Sequence, residues 1–266
     1  MATPKNTNGN PHIIPAGAPK PDEGLFVVVY GKGGVGKTTT ACMASNALLL
    51  DCTGGGRYQT IDTWRVHSTA DLHGALEYLE KERSAYRTVI LDSVDSLYMR
   101  SLKPDRDIRK SHKDTQGVVG PMLARFWSLP VNRVLVVNEK VEQWEERVKD
   151  DEGQATWKKF VDIHLNLPPK LSQLVDDHAD VIMRAENSGR TDERGNPLPT
   201  TVRVWRVTEG PVIVQAKTRL DIIANKMRLD QALINLGIIG DDGASTPTGS
   251  GSTTDPDQPS LIPAGK

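Results

Sequence analysis

Eight consecutive residues, Gly31-Lys-Gly-Gly-Val-Gly-Lys37-Thr38, have the types and spacing of a loop that grips a phosphate chain, G-x-x-x-x-G-K-[ST]. Glycines let successive backbone N–H groups turn toward an anion, the lysine reaches the terminal phosphates, and the hydroxyl after it can ligate Mg²⁺. Gly31, Lys32, Gly33, Gly34, Val35, Gly36, Lys37, Thr38 and Thr39 are therefore the expected cofactor-binding residues, with ATP and Mg²⁺ as ligands. A loop of this kind works with a carboxylate that holds the metal. Asp92, directly after Val89-Ile90-Leu91 and before Ser-Val-Asp-Ser-Leu, fits, so Thr38 and Asp92 form the expected metal pair. Asp95, three residues on, is expected to be exposed.

A second feature is electrostatic. Arg100, Lys103, Arg106, Arg109, Lys110 and Lys113 crowd one segment against only Asp105 and Asp107, enough to follow a phosphate backbone, although a solvated loop has the same composition. The stretch Glu142 to Glu152, with Trp144 inside it, has the opposite sign and is expected to be an exposed helix or a surface insert. The six histidines show no ligand spacing with each other or with Cys42 and Cys52, so no structural metal and two free thiols are expected.

The elements around these residues follow from hydropathy. Leu25 to Tyr30 is apolar throughout, the pattern of a central strand covered on both faces, and it runs straight into Gly31. A helix is expected from about Lys37 to Leu50, ahead of the turn-rich Asp51 to Gly56. Ser68 or Thr69 can cap the next helix, since Asp71 lies three residues after Ser68, and Leu72, Ala75, Leu76 and Leu79 carry the helical period to about Ser84. Thr88 to Leu91 and Arg133 to Val137 read as further buried strands, and Pro168-Pro169 opens a helix to about His178. Val181 to Glu186, Thr201 to Val207 and Val212 to Ala216 read as strands that extend the same sheet antiparallel. Trp127, beside Phe126 on a helical pattern, is expected in the core.

The alternation of strands and helices makes the fold class α/β, mostly parallel and flanked by helices, over residues 25–240. Residues 1–24 and 241–266 are rich in Pro, Asn, Gly, Ser and Thr and are expected to be disordered tails. They share the strings Ile13-Ile-Pro-Ala-Gly17 and Leu261-Ile-Pro-Ala-Gly265, the sort of segment that could dock on a neighbour. With 33 Lys plus Arg against 34 Asp plus Glu, the chain cannot hold nucleic acid by bulk charge, and any such contact needs a local patch. No run approaches 18 apolar residues and the amino end lacks an apolar core, so a cytoplasmic protein without a membrane contact is expected, in the host cytoplasm if phage-encoded.

The string Tyr30 to Thr39 resembles the deviant phosphate loop of ParA and MinD partition ATPases, in which Lys32 would be the extra lysine, but the Asp-x-Asp-Pro-Gln-like segment of that family is absent. Val89 to Leu97 is similar to the second nucleotide motif of RecA-core proteins, and Leu50 to Gly56 resembles their Asp-x-Glu-Gly-Gly strand end. Val134 to Glu139 resembles the strand carrying a polar sensor pair, and Lys217-Thr-Arg219 the K-x-R element that crosses to a neighbour's ATP. The likeness is greatest to phage AAA-type nucleotide-binding or ATP-dependent single-strand annealing proteins. It implies a RecA-like P-loop ATPase that acts on single-stranded DNA in recombination or replication. The same likeness implies self-association as a ring or filament, with a single-strand DNA-binding protein as a further partner. The basic segment would be its DNA loop, and Lys37, Asp92, Lys217 and Arg219 would be catalytic. Where such proteins carry the water-activating glutamate this chain has Thr53, so Asp51 or Glu139 would take over. A partition ATPase and a nucleotide switch without turnover remain the alternatives.

Overall fold

The computed structural model describes residues 24–82, 85–103, 107–149, 153–187, 199–203, 207–209, 212–218, 223 and 226–240. Both expected tails, with their shared strings, lie outside these residues but for Gly24.

The first strand, β1 (Phe26–Gly31), is buried along its whole length. A short helix follows, α1 (Lys37–Ala41), and then β2 (Ala47–Asp51), β3 (Asp62–Arg65), α2 (Thr69–Lys81) and β4 (Thr88–Asp92). Next come α3 (Val94–Ser101), α4 (Ile108–Trp127), the long β5 (Asn132–Lys149), β6 (Ala155–Leu165) and α5 (Pro169–His178). The chain continues through β7 (Val181–Glu186), β8 (Thr201–Arg203), β9 (Val207–Glu209), β10 (Val212–Val214), β11 (Lys217–Thr218) and α6 (Leu229–Asn235). The main sheet runs β11-β7-β1-β5-β4-β2-β3. It is parallel from β7 to β3, and β8 and β11 join β7 antiparallel. This is the expected mostly parallel α/β sheet with antiparallel strands late in the chain.

Alternation along each strand divides the core in two. Phe26, Val28, Tyr30, Leu48, Leu50, Val89, Leu91, Leu135 and Val137 point to the side covered by α2, α4 and α5. Val27, Val29, Leu49, Ile90, Val134 and Val136 point to the side covered by α1 and α6. Each strand thus loses both faces to helices, which is why these runs are apolar without interruption. Phe126 meets Phe26 edge-on at 6.1 Å, and the half-buried Trp127 stacks on His178 at 4.2 Å. The expected helix start at Ser68 is a full capping box with Asp71.

Three expectations change. The helix after the phosphate loop stops at Ala41; Asn46 adopts a left-handed φ of 48°, and Ala47–Asp51 is a buried strand. The segment from Glu142 is not a helix: β5 continues through it to Lys149, exposed, and pairs antiparallel with β6 from Glu139↔Leu165 to Lys149↔Ala155. Finally, β10 leaves the main sheet and pairs with β6 and β9 at the base of this arm. Cys42 and Cys52 are both buried and free. Among the described residues no helix is long and apolar enough to cross a membrane.

Candidate nucleotide site

The carboxyl ends of β1, β5, β4 and β2 meet at one edge of the sheet. The chain passes from β1 to strands on one side and returns through β5 to β7 on the other, the kind of switch point where open α/β sheets bind ligands. Gly31 closes β1 with its Cα against the β7 backbone; a Cβ there would lie 2.4 Å from the Ala185 carbonyl oxygen. Gly36 has φ 87° as it turns into α1, a conformation that disfavours a side chain. Gly33 and Gly34 face open space with no atom within 4 Å of a built Cβ. Thr200, arriving from beyond β7, donates its hydroxyl to the Val35 carbonyl at 2.6 Å and braces the loop.

Lys37 is buried, and its ammonium donates to the carbonyls of Gly31 (2.9 Å) and Lys32 (2.7 Å) and, at 3.4 Å, to Asn138 Oδ1. Burial lowers its pKa, while Asp92, Asp95 and Glu139 pull it back up. Thr38 Oγ1 donates to Asp92 Oδ2 at 2.5 Å. Burial raises the Asp92 carboxyl above its ordinary value; the Thr38 hydrogen bond opposes this, Asp51 adds to it, Lys37 opposes it and Asp95 adds to it. Lys32 and Thr39 are on the exposed side of the loop, half-covered Thr38 on the inner side.

Asp95, expected to be exposed, is 5% accessible and organises the centre of the site. Its Oδ2 accepts from Asn138 Nδ2 at 2.9 Å and Asn166 Nδ2 at 3.5 Å, and its Oδ1 from the Asn138 backbone N–H at 3.4 Å. Asn138 is thereby held with its amide oxygen toward Lys37. Sequence reasoning missed Asp95 because position 2 of a helix is a usual place for a solvated aspartate. One residue along β5, Glu139 has a side chain only 5% exposed. Its Oε2 accepts from Arg184 Nε at 2.9 Å, and its Oε1 has no partner among the described residues. Arg184, on β7 beside Tyr30, also reaches Glu186 at 2.5 Å. Arg184 was not foreseen, and the only signal for it was a cation interrupting the apolar Val181-Ile-Met run.

Asp51 is placed differently. Its Oδ1 accepts from the Thr53 N–H (2.9 Å), the Gly54 N–H (2.8 Å) and the Thr53 hydroxyl (3.2 Å), and its Oδ2 from the Gly56 N–H (2.8 Å). Both carboxylate oxygens brace the turn after β2, and Oδ2, with a single donor, keeps acceptor capacity for the water-orienting role expected first of Asp51. Lys217, expected to cross to a neighbour, donates one hydrogen bond to the Asp176 carbonyl near the end of its own subunit's α5. Arg219 and Arg106 lie outside the described residues. Lys103, Arg109, Lys110 and Lys113 are exposed, the last three in the first two turns of α4, whereas Arg100 donates to the Val66 carbonyl at 3.0 Å.

The residues suit Mg²⁺ with a nucleotide: a hydroxyl and a carboxylate are hard oxygen donors, and the glycine cradle leaves room for phosphates. Among the described residues no group of three or more His, Cys, Asp or Glu could hold a metal by protein ligands alone. A search of curated proteins gave no match. The family model of an AAA domain matches residues 23–220, which span the phosphate loop, Asp92, Asn138 and Glu139. With a P-loop α/β fold and that match over most of its length, the chain belongs to the AAA domain family, a nucleotide-binding ATPase class.

Proposed function

We propose that this protein binds ATP with Mg²⁺, hydrolyses it, and couples turnover to single-stranded DNA as a recombination or replication protein of phage type. The observation that carries the hydrolytic part is the chain Lys37–Asn138–Asp95 beside Thr38–Asp92, which fixes a cation, an amide and a metal-binding pair around one loop. When bound, Mg²⁺ would be held by Thr38 and Asp92 and would supply charge neutralisation at the phosphates. Lys37 holds the terminal phosphates, and Asn138, positioned by Asp95, reads them. Glu139 Oε1, which has no partner among the described residues, is better placed to orient water than Asp51, whose two oxygens brace the turn after β2.

The DNA part is supported by Arg109, Lys110 and Lys113. Cations at a helix amino end oppose the macrodipole, and one capping carboxylate, Asp107, stands there against three exposed cations, an arrangement that suits a use for their charge. Self-association, so that a neighbour completes the site, belongs to the same reading. The test is ATP turnover at fixed low salt with and without single-stranded DNA, with Lys37→Ala as blank. Stimulation by DNA is expected. Nucleotide binding without turnover would favour a switch, a reading favoured by the use of Asp51 to brace its turn. Turnover indifferent to DNA, with dimerisation that Lys32→Ala destroys, would favour a partition ATPase.

A further inference from the structure

Beyond the phosphate loop, the same edge of the sheet holds a second cationic site. A cavity of about 170 Å³ opens at the carboxyl ends of β2 and β3, lined by Arg57, Arg65, His67 and Arg100 together with Asp51 and Thr53. Its one carboxylate, Asp51, has both oxygens tied to backbone N–H groups. Among the described residues no carboxylate lies within ion-pair distance of Arg57, Arg65 or Arg100. Three arginines line a pocket whose single carboxylate is tied to backbone N–H groups, with one Arg100 nitrogen donating to the Val66 carbonyl, and such a set suits an anion with several oxygens, the planar fork favouring a phosphate. Two strands, β5 and β4, separate β1 and its phosphate loop from β2, and β3 is one further out, which puts the pocket roughly 14–19 Å from that loop at about 4.8 Å per strand, with Asp92 at the end of β4 its neighbour one strand away.

We infer that this pocket seats a backbone phosphate of single-stranded nucleic acid. Two observations select that ligand. Tyr58 is 75% exposed and the Arg57 guanidinium lies 4.8 Å from its ring centroid, so an aromatic face for a base stands beside the cations for the backbone. Arg100, in the last turn of α3, begins the basic segment of the sequence that also supplies the exposed Arg109, Lys110 and Lys113 at the start of α4. The pocket also touches the nucleotide machinery: Cys52 N–H donates to the Asp92 carbonyl at 2.6 Å, so the pocket floor is bonded to the backbone of the metal residue. The inference rests on the single-strand reading above and names the phosphate seat within it.

The test is anisotropy binding of a 20-nucleotide oligothymidylate to the full chain with ATP and Mg²⁺ over a salt series. Parent, Arg57→Ala/Arg65→Ala and Arg109→Ala/Lys110→Ala/Lys113→Ala are compared. The pocket variant is expected to bind roughly tenfold more weakly, with its salt slope reduced by about 1.4, or 0.7 for each of two cations. If its unfolding midpoint also drops, Arg57→Lys/Arg65→Lys, which keeps charge and loses the fork, must still weaken binding. Unchanged affinity and slope in the pocket variants, with binding lost in the α4 variant, overturns the pocket and leaves the single-strand reading standing. A parent that binds no oligonucleotide overturns both. Calorimetric uptake of inorganic phosphate by such a parent, abolished in the pocket variant, would replace the nucleic acid by a free anion.

Discussion

Asp51 and Asp92 are lateral neighbours, paired in register at the ends of β2 and β4, and both are buried. Their surroundings make them opposites. Asp51 receives three backbone N–H groups and a hydroxyl, so its charge is met by the fold. Asp92 receives one hydroxyl, is desolvated, and has a raised pKa. One carboxylate has been given to structure; the other is held in a costly, desolvated state that the proposed divalent cation would relieve. A buried carboxylate at a strand end is therefore available for chemistry only to the extent that the backbone has not already claimed it.

The largest effect should come from Asp92→Asn, with steady-state ATP turnover falling on the order of 10³-fold. The same substitution should stabilise the metal-free protein. The raised carboxyl keeps a proton in the folded chain that the unfolded chain releases, so stability falls as pH rises from the unfolded value through the raised one. In Asp92→Asn that slope should flatten, measured by denaturant unfolding across pH. Asp51→Ala should do the reverse, costing about 3 kcal/mol of unfolding free energy because four donors lose their acceptor. An Asp51→Ala protein as stable as the parent would break the contrast. Glu139→Gln should lower kcat by about 100-fold with nucleotide affinity retained, in single-turnover assays. Asp95→Asn should be milder, roughly tenfold in kcat, because Asn138 stays in place but loses its fixed orientation.

Much of this contrast could be read before the fold was known. Loop spacing fixed Lys37 and Thr38, and an aspartate closing an apolar run located Asp92, because both signals are local. Which carboxylate was free was not local. It depends on the turn Thr53 to Gly56, and the resemblance pointed to Asp51 without showing that the turn uses it. The short α1 was hidden because Ala41 to Leu50 is an Ala- and Leu-rich run that suits a helix; the Ser45-Asn46 break was the weak sign against it. The arm was hidden because its outer strands are solvated on both faces, with Glu142 through Glu146 exposed, and so show no apolar alternation. Only the register pairs the charges and stacks Trp144 on Phe160 at 5.6 Å. Arg184 required tertiary knowledge, since its partner Glu139 lies 45 residues away.

The length of β5 has a mechanical consequence. One uninterrupted strand carries Leu135 in the core, Asn138 and Glu139 at the candidate nucleotide site, and Trp144 in solvent. From Asn138 to Lys149 it spans about 37 Å at 3.4 Å per residue. A tilt of about 5° at its root would then sweep the tip by about 3 Å. The strand is in effect a pointer that pivots where Asn138 meets Lys37 of the phosphate loop, and small rearrangements there are magnified at its tip.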